Sequence, residues 1–306
     1  RGLIDDAIFP TGDAYRVVVP VANPKTQRDL LRLAAATARA HADEKTPELV
    51  AVNVLQIAEP SPEQNIAAEQ LDHQHDLFEA AREVATEMGV NLRTVAMTGQ
   101  QVDETILEAI LEEDADQVLL GWKGTLTGQG HEFGPNLDTV VEKAPCEVTL
   151  VTLQDEAIGT TVALAGPGPH SPSAVRRAAE FGTVDGTMPT ILNVQQSGRD
   201  GTSAVEHGHA VIEEVARKAG LNPAEYESEV VVDEDIGTAI LDTANQYDTV
   251  CVGLSERSDA TRMTSGTIAE RISQESRSNV GIVRGRYTGS EAARPPLEEH
   301  PSEQAE

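Results

Sequence analysis

Short apolar runs alternate with longer amphipathic ones along almost the whole chain. "RVVVPVA", residues 16–22, reads as a buried strand, and "TQRDLLRLAAATARAHA" then sets Leu30, Leu33, Ala34 and Thr37 at helical spacing. "ELVAVNVLQI" predicts a second strand, and "IAAEQLDHQHDLFEAAREVATEMG" a long helix closed by Gly89. The strand "NLRTVAM", the helix "VDETILEAILEED" and the strand "DQVLLG" follow. After a glycine-rich stretch come the helix "NLDTVVEKA", broken near Pro145, and the strand "EVTLVTL". Five strands separated by helices and mostly apolar on both faces describe a parallel sheet covered on both sides.

The second half repeats the order. "TTVALAG", "PTILNVQQ", "SEVVVD", "DTVCVG" and "NVGIVRG" predict strands, separated by "SPSAVRRAAEFG", "AVEHGHAVIEEVARKAG", "IGTAILDTANQ" and "SGTIAERISQES" as helices. "ADQVLLG" ending at Gly121 answers "YDTVCVG" ending at Gly253, Gly134 answers Gly266, and Val148 and Val151 answer Val280 and Val283, each 132 residues on. A constant offset through loop, helix and last strand marks a tandem duplication. The expected organisation is a lead-in over 1–15, whose Leu3, Ile4, Ala7 and Ile8 line one face of a short helix. A first α/β domain over 16–155 and a second over 156–286 follow, and then a Pro- and Glu-rich tail over 287–306 that predicts disorder.

Composition narrows the function. With 51 acidic against 23 basic residues the formal charge is −28. Such a surface repels phosphate backbones and anionic lipid, which argues against nucleic acid and membrane surfaces as partners. Only Lys25, Lys45, Lys123, Lys143 and Lys218 are lysines; an acidic, Lys-poor, aromatic-poor chain suits high salt and a halophilic source. Cys146 and Cys251 are too few and too far apart for a disulfide framework or a zinc site, and each reads as a buried thiol. No apolar run approaches the roughly 18 residues that span a bilayer, so no direct membrane insertion is expected. The chain opens on Arg1 rather than Met and reads as a piece of something longer.

The glycines carry the candidate chemistry. Gly121, Gly124 and Gly134 follow the fourth predicted strand with the spacing G-x2-G-x9-G, and neither G-x4-G-K-[ST] nor G-x-G-x-x-G is present. Ligands of open parallel sheets bind beyond the C-terminal strand ends, where loop amides and a helix N-terminus favour an anion. This spacing resembles the nucleotide-binding signature of the universal stress protein family, G-x2-G-x9-G-[ST], and the resemblance runs from Arg16 to Gly285. It implies two tandem five-stranded, parallel-sheet, Rossmann-like domains of the adenine-nucleotide alpha hydrolase type. It further implies ATP or another adenine nucleotide as ligand, no metal, and a site drawn from Gly121, Lys123, Gly124, Gly134, Gly253, Ser265, Gly266 and Thr267. It also implies that the last strands, "EVTLVTL" and "NVGIVRG", lie side by side as in a dimer.

Both copies depart from the pattern. Pro135 and Leu137 stand where hydroxyl residues are expected, and Pro135 lacks an amide proton. Glu256 replaces the middle glycine of the second copy, and Ala22 and Pro167 stand near the position of the adenine-contacting Asp. Lys123, Lys143 and Arg257 are candidate compensating cations. Two readings stay open: a retained nucleotide site in at least one copy, or glycines that serve loop geometry alone. Trp122 reads as a base-stacking ring or as a cover for the strand end. Asp72, His75 and Asp76 share a helical face and read as metal ligands or as exposed polarity; His207 and His209, two apart, face different ways. Ser255 and Ser265 have no positioned base to make nucleophiles of them.

The resulting expectation is a cytoplasmic regulatory module and not an enzyme. It would sense an adenine nucleotide and act on a fused or partner transporter membrane domain, resembling the cytosolic tail of an amino-acid permease of salt-loving archaea, or act through self-association. The alternatives are a structural dimerisation module with degenerate loops and a weak ATP hydrolase.

Overall fold

The computed structural model describes residues 13–22, 24–56, 68–122, 135–154, 157–197, 201–254 and 268–286. The first half runs β1 (Ala14–Pro20), α1 (Pro24–Arg39), β2 (Thr46–Gln56), α2 (Ala68–Met88), β3 (Asn91–Gly99), α3 (Val102–Glu112), β4 (Gln117–Gly121), α4 (Pro135–Lys143) and β5 (Glu147–Thr152). The second runs β6 (Thr161–Leu164), α5 (Ser171–Gly182), β7 (Thr190–Gln196), α6 (Gly201–Ala219), β8 (Glu227–Asp233), α7 (Ile236–Ala244), β9 (Thr249–Gly253), α8 (Ile268–Glu275) and β10 (Asn279–Arg284). The alternation read from the sequence is therefore present in both copies.

Local chemistry explains the element ends. Pro24 opens α1, where its missing amide proton costs nothing and its fixed φ already suits a helix. Gly89 (φ +66°) and Gly220 (φ +84°) close α2 and α6 in the left-handed region, and the next residue bonds back into the last turn: Val90 N to Ala85 O at 3.0 Å, Leu221 N to Ala216 O at 3.0 Å. Leu30, Leu33, Ala34 and Thr37 are all buried on α1, as their spacing requires.

The strands form one ten-stranded sheet in the order β3-β2-β1-β4-β5-β10-β9-β6-β7-β8. Within each half the pairings are parallel; β5 and β10 meet antiparallel, with Leu150 opposite Ile282 at the centre. These two residues are 132 apart, so a pseudo-twofold axis through this point, normal to the sheet, relates the halves. Helices α1, α2, α5 and α6 cover one face, and α3, α4, α7 and α8 the other. Each apolar layer continues through both halves.

Polar contacts reinforce the seam between the halves. Arg177 of α5 is fully buried and donates Nη1 to Thr37 Oγ1 of α1 at 2.8 Å and to Glu180. Its Nη2 donates to Glu147, the first residue of β5, and Arg176 lies 3.8 Å from the same carboxylate. Burial opposes the charge of Arg177, but Glu180 and Glu147 more than offset it, so the guanidinium is held protonated above its ordinary range. Arg284, 2 % exposed at the end of β10, donates Nε to Val141 O (2.9 Å) and Nη2 to Ala144 O (2.7 Å), closing the C-terminus of α4 in the other half.

The link between the halves is tied down as well. Asn279 accepts from Gln154 N at 2.7 Å and donates to Ala157 O at 2.8 Å, while Ile158 is fully buried, and its carbonyl accepts from Thr249 Oγ1 at 2.7 Å. At the other end of the sheet Asp116 accepts from Arg16 N (3.1 Å) and Lys45 Nζ (3.3 Å) and has Arg286 at 3.8 Å.

Replacing Ile158 by Ala should cost about 2–5 kcal/mol in urea denaturation. Leu111→Ala, at a residue 54 % exposed, should stay within about 0.5 kcal/mol. Equal effects would mean that the link is not packed into the core. Both thiols are buried as expected, and burial pushes each up to about 12. At pH 8 the native protein should therefore resist iodoacetamide, with both sites alkylating once denaturant is added.

Candidate functional site

In the strand order β3-β2-β1-β4-β5 the chain crosses outward in opposite directions from β1 and from β4, which leaves a crevice beyond their C-terminal ends. Gly121 is the last residue of β4 and Val21 and Ala22 follow β1, so all three stand at this mouth. The second copy forms the same crevice between β6 and β9, with Gly253 ending β9. Because β5 and β10 are antiparallel, the two crevices open at opposite ends of the sheet.

Of the expected site residues, Gly121 and Gly253 take pseudo-symmetric places at these mouths. Lys123, Gly124, Gly134, Ser265, Gly266 and Thr267 lie outside the described residues, as do Ser255, Glu256 and Arg257. Helices α4 and α8 begin at Pro135 and Ile268, immediately after Gly134 and Thr267, so each glycine stretch leads into a helix N-terminus.

The two mouths are built differently. At the second, a Cβ added to Gly253 would lie 2.8 Å from His170 C and 3.0 Å from Ser171 N. Ser171 Oγ donates to Leu164 O and accepts from Gly166 N, both at 3.0 Å, and Ser171 N donates to Gly168 O at 3.2 Å. His170 Nδ1 accepts from Gly285 N at 3.2 Å. The turn after β6 thus folds over its own strand ends and consumes the Gly166 amide. At the first mouth Gly121 and Ala22 are both exposed, and among the described residues a Cβ on Gly121 would meet only Leu30 Cδ2, at 3.5 Å. Gly253 is demanded by packing; no described neighbour demands Gly121.

Both mouths share a lock that sequence reasoning missed. Asn53 Nδ2 donates to Val21 O at 2.9 Å and Asn193 Nδ2 to Ala165 O at 2.7 Å, each fixing the carbonyl just past the end of the neighbouring central strand. Gln74 Nε2 steadies Asn53 Oδ1 at 3.0 Å, and Gln195 Nε2 steadies Asn193 Oδ1 at 2.6 Å. The signal was available: "NVLQ" at Asn53–Gln56 recurs as "NVQQ" at Asn193–Gln196, a polar residue interrupting an otherwise apolar strand in both copies.

Other candidates resolve plainly. Trp122 is 8 % exposed within the apolar layer and donates its amide to Val151 O at 2.8 Å, so it covers the strand end. Lys143 cannot compensate at the first mouth. It closes α4, roughly 13 Å of helix rise beyond Pro135, where Arg284, paired with Val148 near the start of β5, caps the helix end. Asp72, His75 and Asp76 are exposed on α2, and His207 and His209 are exposed on α6. Among the described residues no group of three His, Cys, Asp or Glu side chains gathers to hold a metal.

Gly253→Ala should lower stability by about 1–3 kcal/mol through overpacking, whereas Gly121→Ala should stay within about 0.5 kcal/mol. Urea titrations of the two variants decide it, and indistinguishable midpoints would erase the difference between the mouths.

The profile of the universal stress protein family matches residues 15–152 and again 161–284. Among solved structures, a universal stress protein from Archaeoglobus fulgidus DSM 4304 aligns with a TM-score of 0.56 at 15% identity, over 89% of this chain and 97% of that one. The cytoplasmic domain of a prokaryotic cation chloride cotransporter aligns with a TM-score of 0.51 at 12% identity, over 89% and 96%. Among curated proteins the Na(+)/H(+) antiporter NhaS5 of Synechocystis sp. is 21% identical over 272 residues, 88% of this chain. The chain spans 38% of that antiporter's length. With two successive matches lying on the two pseudo-symmetric halves of one sheet, the chain belongs to the universal stress protein family and carries its domain twice.

Proposed function

We propose that this tandem chain is a regulatory module that binds one adenine nucleotide at the β1/β4 mouth and acts on a membrane transporter, without turning the nucleotide over. The observation that carries the ligand assignment is Gly121. It is exposed at the switch point of the sheet, it precedes the glycine stretch with family-like spacing, and no described neighbour explains the missing side chain. A glycine kept without a packing reason suits the close approach of a bound group. The second mouth, filled by its own turn, serves structure instead.

The transporter assignment is supported by the length match to part of an antiporter and by the shared fold with a cotransporter's cytoplasmic domain. No described helix is long and apolar enough to cross a membrane, so the membrane part would be supplied by a fused segment or a partner; the likeness to a cotransporter's cytoplasmic domain supports action from the cytoplasmic side. An amino-acid permease is one carrier that fits the sequence resemblance; the two transporter relatives move ions, so the module is not tied to one cargo.

Calorimetry with ATP, ADP, AMP and cyclic AMP in molar potassium chloride should show one site per chain for at least one of them, with no product released over hours. Gly121→Val should abolish the heat while leaving the melting temperature within a few degrees. Silence from all four nucleotides would overturn the ligand reading in favour of a purely structural module, and steady product release would make the chain an enzyme.

A further inference from the structure

We infer that the β5/β10 seam is matched but not self-complementary: each half is built to pair with the other half and to reject a copy of itself. Relating the helices across the pseudo-twofold makes this visible. Residues 27–38 of α1 and 171–182 of α5 correspond at an offset of 144, and positions 30, 31, 33 and 34 are buried like 174, 175, 177 and 178. In that register the first half has Leu33 where the second has Arg177, and Ala36 where it has Glu180. On the strands the second half has Asn279 where the first has Glu147.

The buried ion cluster therefore runs one way, from a cation on the second half to a carboxylate and a hydroxyl on the first. Pairing two first halves would set Glu147, 6 % exposed, against Leu33. The remaining cation, Arg32, is the counterpart of Arg176, which reaches Glu147 only from the half-exposed rim at 3.8 Å. Pairing two second halves would set the fully buried Arg177 against Asn279 and put Phe181 where Thr37 now accepts its hydrogen bond. The first arrangement takes the buried Glu147 carboxylate from its guanidinium, and the second leaves Arg177 with Glu180 of its own helix alone, its bonds to Glu147 and Thr37 lost; a buried charge short of partners is far more costly than an apolar mismatch.

A second contact points the same way. Arg284 closes the C-terminus of α4, but its counterpart on β5 is Thr152, too short to reach a facing helix end. The end of α8, by contrast, is turned within its own half by Ser276, Ser278 and Asn245: Ser276 Oγ donates to Asn245 Oδ1 at 3.0 Å and Ser278 Oγ to Tyr247 O at 2.7 Å. A first-half pair would leave both α4 ends without their guanidinium. The seam thus selects its partner by charge placement rather than by the strand pairing, which any two copies could form.

The test uses the full chain. Leu150 sits on the pseudo-axis, so in a pair of first halves it would face Leu150 of another chain at a separation that suits a disulfide. Leu150→Cys is introduced with Cys146→Ala and Cys251→Ala, and the protein is unfolded, refolded at high concentration and oxidised. The expected result is almost no disulfide-linked dimer. Adding Glu147→Asn, Arg177→Leu and Glu180→Ala, which makes the two halves alike at the ion cluster, should raise the linked fraction several-fold; the same fraction in both backgrounds would overturn the inference. Should that variant fail to fold, the single variants Glu147→Gln and Arg177→Met and their double decide. Each single should raise the unfolding constant by ~10²-fold, and the double should cost clearly less than their product. Additive effects would equally overturn it.

Discussion

The antiparallel pairing of β5 with β10 is the constraint on which the rest of the molecule depends. It joins two five-stranded sheets into one, carries both apolar layers across the junction and turns the halves in opposite directions. Hydrogen bonding between these strands supplies cohesion, but backbone bonds are indifferent to which copy provides them. Direction comes from Arg177 and Arg284, buried cations that each draw acceptors from the opposite half, Glu147 and Thr37 for the one and the α4 carbonyls for the other. A duplicated chain faces this problem by descent, because the copies begin alike.

Duplication also frees the halves to diverge in their crevices. At the β6/β9 mouth the Ser171 hydroxyl bridges the two sides of the turn after β6, and Gly253 lets the His170 backbone settle on the strand end. At the β1/β4 mouth Gly121 and Ala22 are exposed, and among the described residues no turn packs on them. The two copies share one fold but not one mouth, as sites can differ on a common scaffold.

The fold was legible in the sequence because its strands are buried on both faces, which writes continuous apolar runs such as "RVVVP" and "EVTLV", and because the offset of 132 residues survives in the last third of each copy. The seam was half legible. That the final strands adjoin followed from family resemblance, whereas Arg177 inside "SPSAVRRAAEFG" reads as one more solvated cation. Its burial becomes visible only when Glu147 is brought beside it from another strand. Asn53 and Asn193 could have been read from their repetition, since a polar residue inside a buried strand needs a partner. The site itself was legible only in outline. Gly121 and Gly253 fall where expected, Lys143 does not help because helix geometry carries it away, and the remaining candidates are not among the described residues.

The meeting of Arg286 with Asp116, close to Lys45 and the start of β1, has a mechanical corollary. The backbone comes into this architecture at Asp13 and goes out at Arg286 on the same side, while the open mouth faces away from it, about seven strand residues or roughly 23 Å off. Tension passed between those neighbouring points would travel through the Asp116 side chain, its two cations and the Arg16 amide, not through the mouth. A module suspended there would keep the β1/β4 mouth turned outward and undisturbed by whatever pulls on it.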